Sequence, residues 1–371
     1  DIVPDNLPTL EMAFNNKSSA ERFLFTCYSF VPEHGKIGTD PGMDVGDEVW
    51  YYSDNSADYS NKTTFWIAKG MQNSNEPLVD YWNGTQWGKA MFVGIRDCNV
   101  FIENIDKVPD LSAYDKETWK AEVKVLKAFY HFWLMRMYGP IPIVKENIPV
   151  SADENEVRVV RDKIDDIVAY TVSLIDESVD YLPLNIQNEA AEMGRITRPA
   201  AKAIKAKILA FAASPFFNGN LDYANFKNAD GEPFFNQVYD GEKWTKAAEA
   251  CLDAIQCAEE AGHGLYEFVN MSSTKLSEET VLSLTNRCKV TERWNKELVW
   301  GCGQSGIRDL QVLCQPWLES NYSSDDRYHN ARNGTFAPTL AVAETFYTKN
   351  GVPMDEDRSY DYDNRYTTQV A

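Results

Sequence analysis

The chain has 371 residues, 44% hydrophobic and 13% aromatic, enough to bury a full core in one large domain or two smaller ones. Lys and Arg total 36 against 56 Asp and Glu, a net charge of −20. A surface this acidic repels phosphate backbones and anionic headgroups, which argues against nucleic acid and leaves neutral ligands such as uncharged sugars open.

Seven segments read as helices, and the class is mainly α. The first spans about 18–30, opened by Ser18 or Ser19, with Phe23, Leu24, Cys27 and Phe30 on one side. A second covers about 82–105. The third, about 116–137, is the clearest: Trp119, Val123, Leu126, Tyr130, Trp133 and Met137 recur at helical spacing. Val125, Phe129, Phe132 and Met135 widen that stripe past half the circumference, so this helix should have neighbours on more than one side. Gly139 and Pro140 end it, and the prolines within 140–144 rule out a central strand there. A fourth helix is predicted over 160–181, closed by Pro183. The fifth runs from Pro199 to Ser214 and holds seven alanines, which let two helix backbones approach closely. A sixth covers 243–260 and a seventh 338–349. The segment 296–302 reads as a short strand.

Between these lie long aromatic and polar stretches at 31–80, 215–242 and 261–337. Loops of that length usually carry function. The layout is one of antiparallel helix pairs with large excursions, similar to a helical-repeat scaffold but without strict self-similarity.

Motifs for chemistry are sparse. The nearest approach to a nucleophile elbow, Gly303-Gln304-Ser305-Gly306, lacks the spacing. No phosphate loop, dinucleotide fingerprint or HExxH occurs. His34, His131, His263 and His329 are scattered, and His131, on the apolar third helix, reads as a packing histidine. The seven cysteines have no CxxC spacing and behave as small apolar residues rather than a disulfide framework. Asp355, Asp357, Asp361 and Asp363 alternate, but the glycine and glutamate of a calcium loop are missing. No cofactor or metal is expected. A pair of acids acting as a glycosidase stays open among 56 carboxylates. No run of 18 apolar residues occurs, so no transmembrane helix is expected.

The loops interleave aromatics with small polar residues: Trp50-Tyr51-Tyr52-Ser53-Asp54-Asn55, Phe65-Trp66, Tyr81-Trp82-Asn83-Gly84, and Trp317 through Asn321-Tyr322. A pyranose has an apolar C–H face, which a flat ring covers, and a hydroxyl rim, which Asn, Asp and Gln meet as donors and acceptors. Any one of these aromatics could instead cap the core. As a set they predict at least one exposed patch.

Four passages resemble the SusD/RagB family of outer-membrane nutrient-binding lipoproteins. Asp1 to Asp5, with Ala20-Glu21 and Cys27-Tyr28, is similar to its mature N-terminus, just past the lipid-bearing cysteine. The run Glu122 to Val144 resembles its most recognisable helix and following turn. Gly194-Arg195-Ile196-Thr197 with 200–218 resembles its alanine-rich repeat helix. Trp244, Ala247, Ala248 and Ala250, then Gly264-Leu265-Tyr266, resemble the next one. The resemblance implies one SusD-like domain over 1–371, with tetratricopeptide-like helix pairs around 82–261 and a looped ligand face from 31–80 and 261–337. It implies a non-catalytic protein lipid-anchored at the cell surface, through an N-terminal anchor this chain does not include. Such a protein would bind an oligosaccharide and hand it to a SusC-like TonB-dependent outer-membrane transporter. By position, Tyr52 would stack on the sugar and Asn55 would hydrogen-bond it. Trp50 is a second stacking candidate, and Trp317 and Tyr322 complete the arc. Family members generally continue past this length, so a C-terminal part is expected to be missing. An α-helical glycosidase or lyase, or a peptide-binding helical-repeat module, are the other readings.

Overall fold

A computed structural model describes residues 10–33, 35, 40–51, 62–303 and 336–367. It is mainly α-helical and divides into two compact units, one built from residues 1–31, 81–84 and 89–303, the other from 32–80, 85–88 and 304–371.

Among the described residues the first unit contains seven long helices. Asn16 starts α1 (Lys17–Tyr28), its side chain accepting from the Ser19 N–H at 2.9 Å. Helix α2 spans Met91–Asn104. It begins well inside the predicted 82–105, because Gly84, Gln86 and Trp87 hold left-handed φ of 80°, 49° and 69°, which no α-helix accepts.

Ser112 caps α3 (Ala113–Tyr138) and Gly139, at φ 70°, ends it. Nearly every residue of α3 from Ala121 to Met135 is buried. The helix packs on α2 to one side and on α4 (Ile164–Asp176) to the other, with further contacts to α1 and α5 (Arg198–Ala213). That is the arrangement its wide apolar stripe demanded.

Thr197 caps α5 with Pro199 in its first turn. The alanine pattern does what close approach requires: α5 makes the most extensive helix–helix contact among the described residues, with α6 (Glu242–Glu260). Ala206, Ala250 and Ala254 meet there with Leu209 at their edge. Ser277 caps α7 (Glu278–Thr291), a helix within a stretch expected to be loop. Residues 296–302 form turns rather than the expected strand.

His131 is fully buried, as its place on α3 suggested. Its Nδ1–H donates to the Lys127 carbonyl at 2.8 Å and its Nε2 accepts from the Val144 N–H at 3.2 Å. The Val144 bond needs the neutral ring, because a protonated Nε2 can no longer accept. Burial, aided by the nearby Lys127 charge, pulls its pKa down from 6.5 to about 4. The unfolded chain therefore binds the proton more tightly. The stabilisation is complete above pH 6.5 and is lost as pH falls through about 4, a loss of about 3 kcal/mol. Urea unfolding at neutral pH and at pH 4 should show wild type losing about 3 kcal/mol more than His131→Gln. Equal losses would mean that the folded and unfolded rings take up the proton at the same pH.

In the second unit, strand β1 (Val49–Tyr51) pairs antiparallel with β2 (Phe336–Pro338), Trp50 opposite Ala337. Thr339 extends the pairing: its N–H donates to the Glu48 carbonyl at 3.1 Å and its hydroxyl to the Asp47 carbonyl at 2.7 Å. Thr339 also caps the short helix Leu340–Ala343. That helix is far shorter than the predicted 338–349. Further along, Asp357 accepts from Thr348, Asn350 and Ser359, which holds its carboxyl well below the usual range. The alternating aspartates thus include one fully engaged in its own turn.

Candidate functional site

Of the five residues expected to meet a sugar, the described residues contain one. Trp50 sits in β1 with 38% of its surface exposed, so it does not belong to the core. Tyr52, Asn55, Trp317 and Tyr322 lie outside the described residues. Trp66 is 37% exposed, with the Lys69 ammonium 5.1 Å from its ring centre.

The aromatic pair at 81–82 turns out to be packing. Tyr81 is buried edge-on to Trp133, ring centres 5.3 Å apart. Trp82 lies between Phe92 at 4.7 Å and Tyr138 at 5.5 Å, with the Arg161 guanidinium over its face at 5.4 Å. A Tyr-Trp-Asn-Gly run reads equally as a ligand patch or a core cap, and here it is the cap.

Within the first unit a half-open cavity of about 440 Å³ lies among four segments: 185–197 leading into α5, 261–263 after α6, and 294–296 and 298–301 beyond α7. Its volume falls in the range of small-molecule pockets. Trp300 forms one wall. Its Nε1–H donates to the Gly194 carbonyl at 2.9 Å and its ring meets Phe129 edge-on at 5.6 Å. Trp294, at the rim, holds φ 54°, a left-handed backbone uncommon for an aromatic residue. Gly194 allows the close approach: a side chain there would meet the Gly301 carbonyl at 3.3 Å and the Trp294 ring at 3.6 Å.

Arg195 anchors the floor from beneath. Its guanidinium grips both oxygens of Glu122, at 2.6 and 3.1 Å, and reaches Glu192 at 2.6 Å. The Tyr28 hydroxyl donates to Glu122 at 2.5 Å and accepts from the Ile196 N–H at 2.9 Å. Sequence reading placed Glu122 and Arg195 in separate passages. Nothing local signals that residues 73 apart form an ion pair. Among the described residues no group of three or more His, Cys, Asp or Glu is placed to hold a metal ion, and no helix is long and apolar enough to cross a membrane.

Comparison with known proteins gives a consistent picture. Residues 37–209 match the SusD-like family described as starch-binding and associating with the outer membrane. Among solved structures, BT4246 is similar at 28% identity and a TM-score of 0.74, over 93% of this chain and 59% of that one. A SusD-like protein of Bacteroides fragilis superposes at 0.63 with 15% identity, over 92% of this chain and 55% of that one. A SusD-like carbohydrate-binding protein of the same species superposes at 0.58 with 18% identity, over 94% and 56%. The last two show the fold alone. This chain thus spans less than two thirds of the length of each. No curated protein matches the sequence. The family match over 37–209 and the structural match along nearly the whole chain make this chain similar to SusD-like proteins, in sequence over that part and in fold along its length.

Proposed function

We propose that this protein captures an oligosaccharide at the cell surface and passes it, uncleaved, to a SusC-like TonB-dependent outer-membrane transporter, while a lipid anchor holds it to the outer membrane. The observation that carries this reading is the match to BT4246 over 93% of the chain, joined to a family described as starch-binding and outer-membrane-associated. SusD-like members bind glycans without acting on them. One protein with the same fold is named surface glycan-binding protein A, from Bacteroides uniformis. The physical chemistry agrees. A net charge of −20 disfavours anionic ligands but not neutral sugars, and Trp50 offers an exposed ring. Tyr52 and Asn55 follow it in sequence, and Trp317 and Tyr322 supply the remaining rings of the proposed arc.

Affinity electrophoresis and calorimetry against a panel of neutral polysaccharides test this. Binding with no change in chain length supports capture. Reducing ends accumulating with time would replace it with a glycosidase or lyase. A tight peptide ligand with no glycan affinity would replace it with a peptide-binding module. Tyr52→Ala should weaken glycan binding about tenfold or more, the equivalent of about 1.4 kcal/mol, with the melting temperature unchanged. Unchanged binding with a collapsed melting temperature would place Tyr52 in the core.

A further inference from the structure

The cavity in the helical unit holds side chains that the fold leaves unspent. Asn185, Glu189 and Lys296 line it, and none of the three side chains has a hydrogen-bond or ion-pair partner among the described residues. Glu192, three residues from Glu189, is by contrast paired with Arg195. His263 donates from Nδ1 to the Lys296 carbonyl at 3.1 Å, and that tautomer leaves Nε2 an acceptor. The set therefore offers donors (Asn185, Lys296) and acceptors (Asn185, Glu189, His263), which is what hydroxyls, each donor and acceptor at once, require. One carboxylate and one ammonium cancel, so the cavity favours neither anion nor cation. Trp300 has its N–H committed to Gly194. Trp294, half-buried at the rim, is the ring left to cover an apolar face.

We propose that this cavity is a saccharide-binding site separate from the arc of Trp50, Tyr52, Asn55, Trp317 and Tyr322. It takes one or two neutral pyranose units, with a sugar face on Trp294 and the hydroxyl rim met by Asn185, Glu189, His263 and Lys296. The volume of about 440 Å³ limits it to a ligand of that size rather than a polysaccharide chain.

The full chain, with ¹⁵N in its tryptophan indoles, is titrated with the methyl pyranosides of glucose, galactose, mannose and N-acetylglucosamine up to tens of millimolar. At least one should move the Trp294 indole signal along a saturable curve. Trp294→Asn, which identifies that signal, retains a residue type that tolerates the left-handed backbone. His263→Ala should weaken the same titration several-fold with the melting temperature unchanged. It serves as the second variant should Trp294→Asn not fold. Trp50→Ala should leave the Trp294 titration as it was. A Trp294 signal that none of the four sugars moves overturns the site, whether or not the arc binds glycan. A Trp294 signal that still titrates when the arc variants bind polysaccharide as well as wild type sustains the site and overturns the arc.

Discussion

Glu122→Ala is expected to lower the unfolding free energy by about 3–5 kcal/mol, the range for removing one partner of a buried ion pair. The Glu122 side chain is 2% exposed and that of Arg195 9%. Removing the carboxylate leaves Glu192 as the ion-pair partner of Arg195 among the described residues, and removes the acceptor of the Tyr28 hydroxyl. Burial pushes the Glu122 carboxyl up and the doubly bonded guanidinium opposes it. With three donors aimed at its two oxygens, it is held as the carboxylate, and the Arg195 charge is reinforced in turn. The network joins α1 through Tyr28, α3 through Glu122 and the approach to α5 through Arg195, so its loss should be felt as a single cooperative transition. Arg195→Ala should cost a similar amount. The double variant Glu122→Leu with Arg195→Met should cost less than either single change, because no buried charge is left alone. Denaturant unfolding of the four proteins decides it. A loss under about 1 kcal/mol in Glu122→Ala would mean that water reaches the guanidinium and solvates it.

The helical body was legible wherever burial is one-dimensional along the chain. The stripe of α3, its Gly139 boundary and the alanine face of α5 each follow from periodicity or capping, and each appears within a few residues of its expected place. Failures came where structure depends on partners far away in sequence. Lys296 to Cys302 reads as a short strand from its apolar run Leu298-Val299-Trp300, but a strand needs a ladder. Among the described residues its one backbone–backbone hydrogen bond to another segment is from the Gly264 N–H to the Lys296 carbonyl at 3.1 Å. Helix α7 buries no residue, so it left no apolar stripe to find. The site was legible to the same degree. An exposed Trp50 could be suspected from loop composition, but a cavity assembled from four separate segments leaves no local pattern. Trp294 and His263 acquire their setting only through the turn that brings 294–301 beside Gly194.

Trp133→Ala should cost about 3–5 kcal/mol, the range for deleting a large buried aromatic. Trp133 is 1% exposed in the middle of α3. Its ring meets Tyr81 at 5.3 Å and Phe129 at 6.1 Å, and the Arg136 guanidinium sits 4.2 Å over it. Tyr81 is where the chain re-enters the helical unit, and it is tied down on both backbone groups. Its N–H donates to the Tyr138 hydroxyl at 2.8 Å and its carbonyl accepts from the Met91 N–H at 3.1 Å. These bonds limit how far the surroundings can collapse into the space left by the indole, which puts the expected loss at the upper end. Trp133→Phe retains most of the ring contact and should cost less than half as much. If the two substitutions cost the same, the indole's stacking with Arg136 matters more than the volume it fills. The consequence should also travel outward. Phe129 touches both Trp133 and Trp300, at 6.1 and 5.6 Å, and Trp300 holds Gly194 through its N–H. The Trp300 indole signal in Trp133→Ala should therefore shift or broaden well below the melting temperature. An unchanged signal would mean that the wall of the cavity is held by the Trp300–Gly194 bond alone.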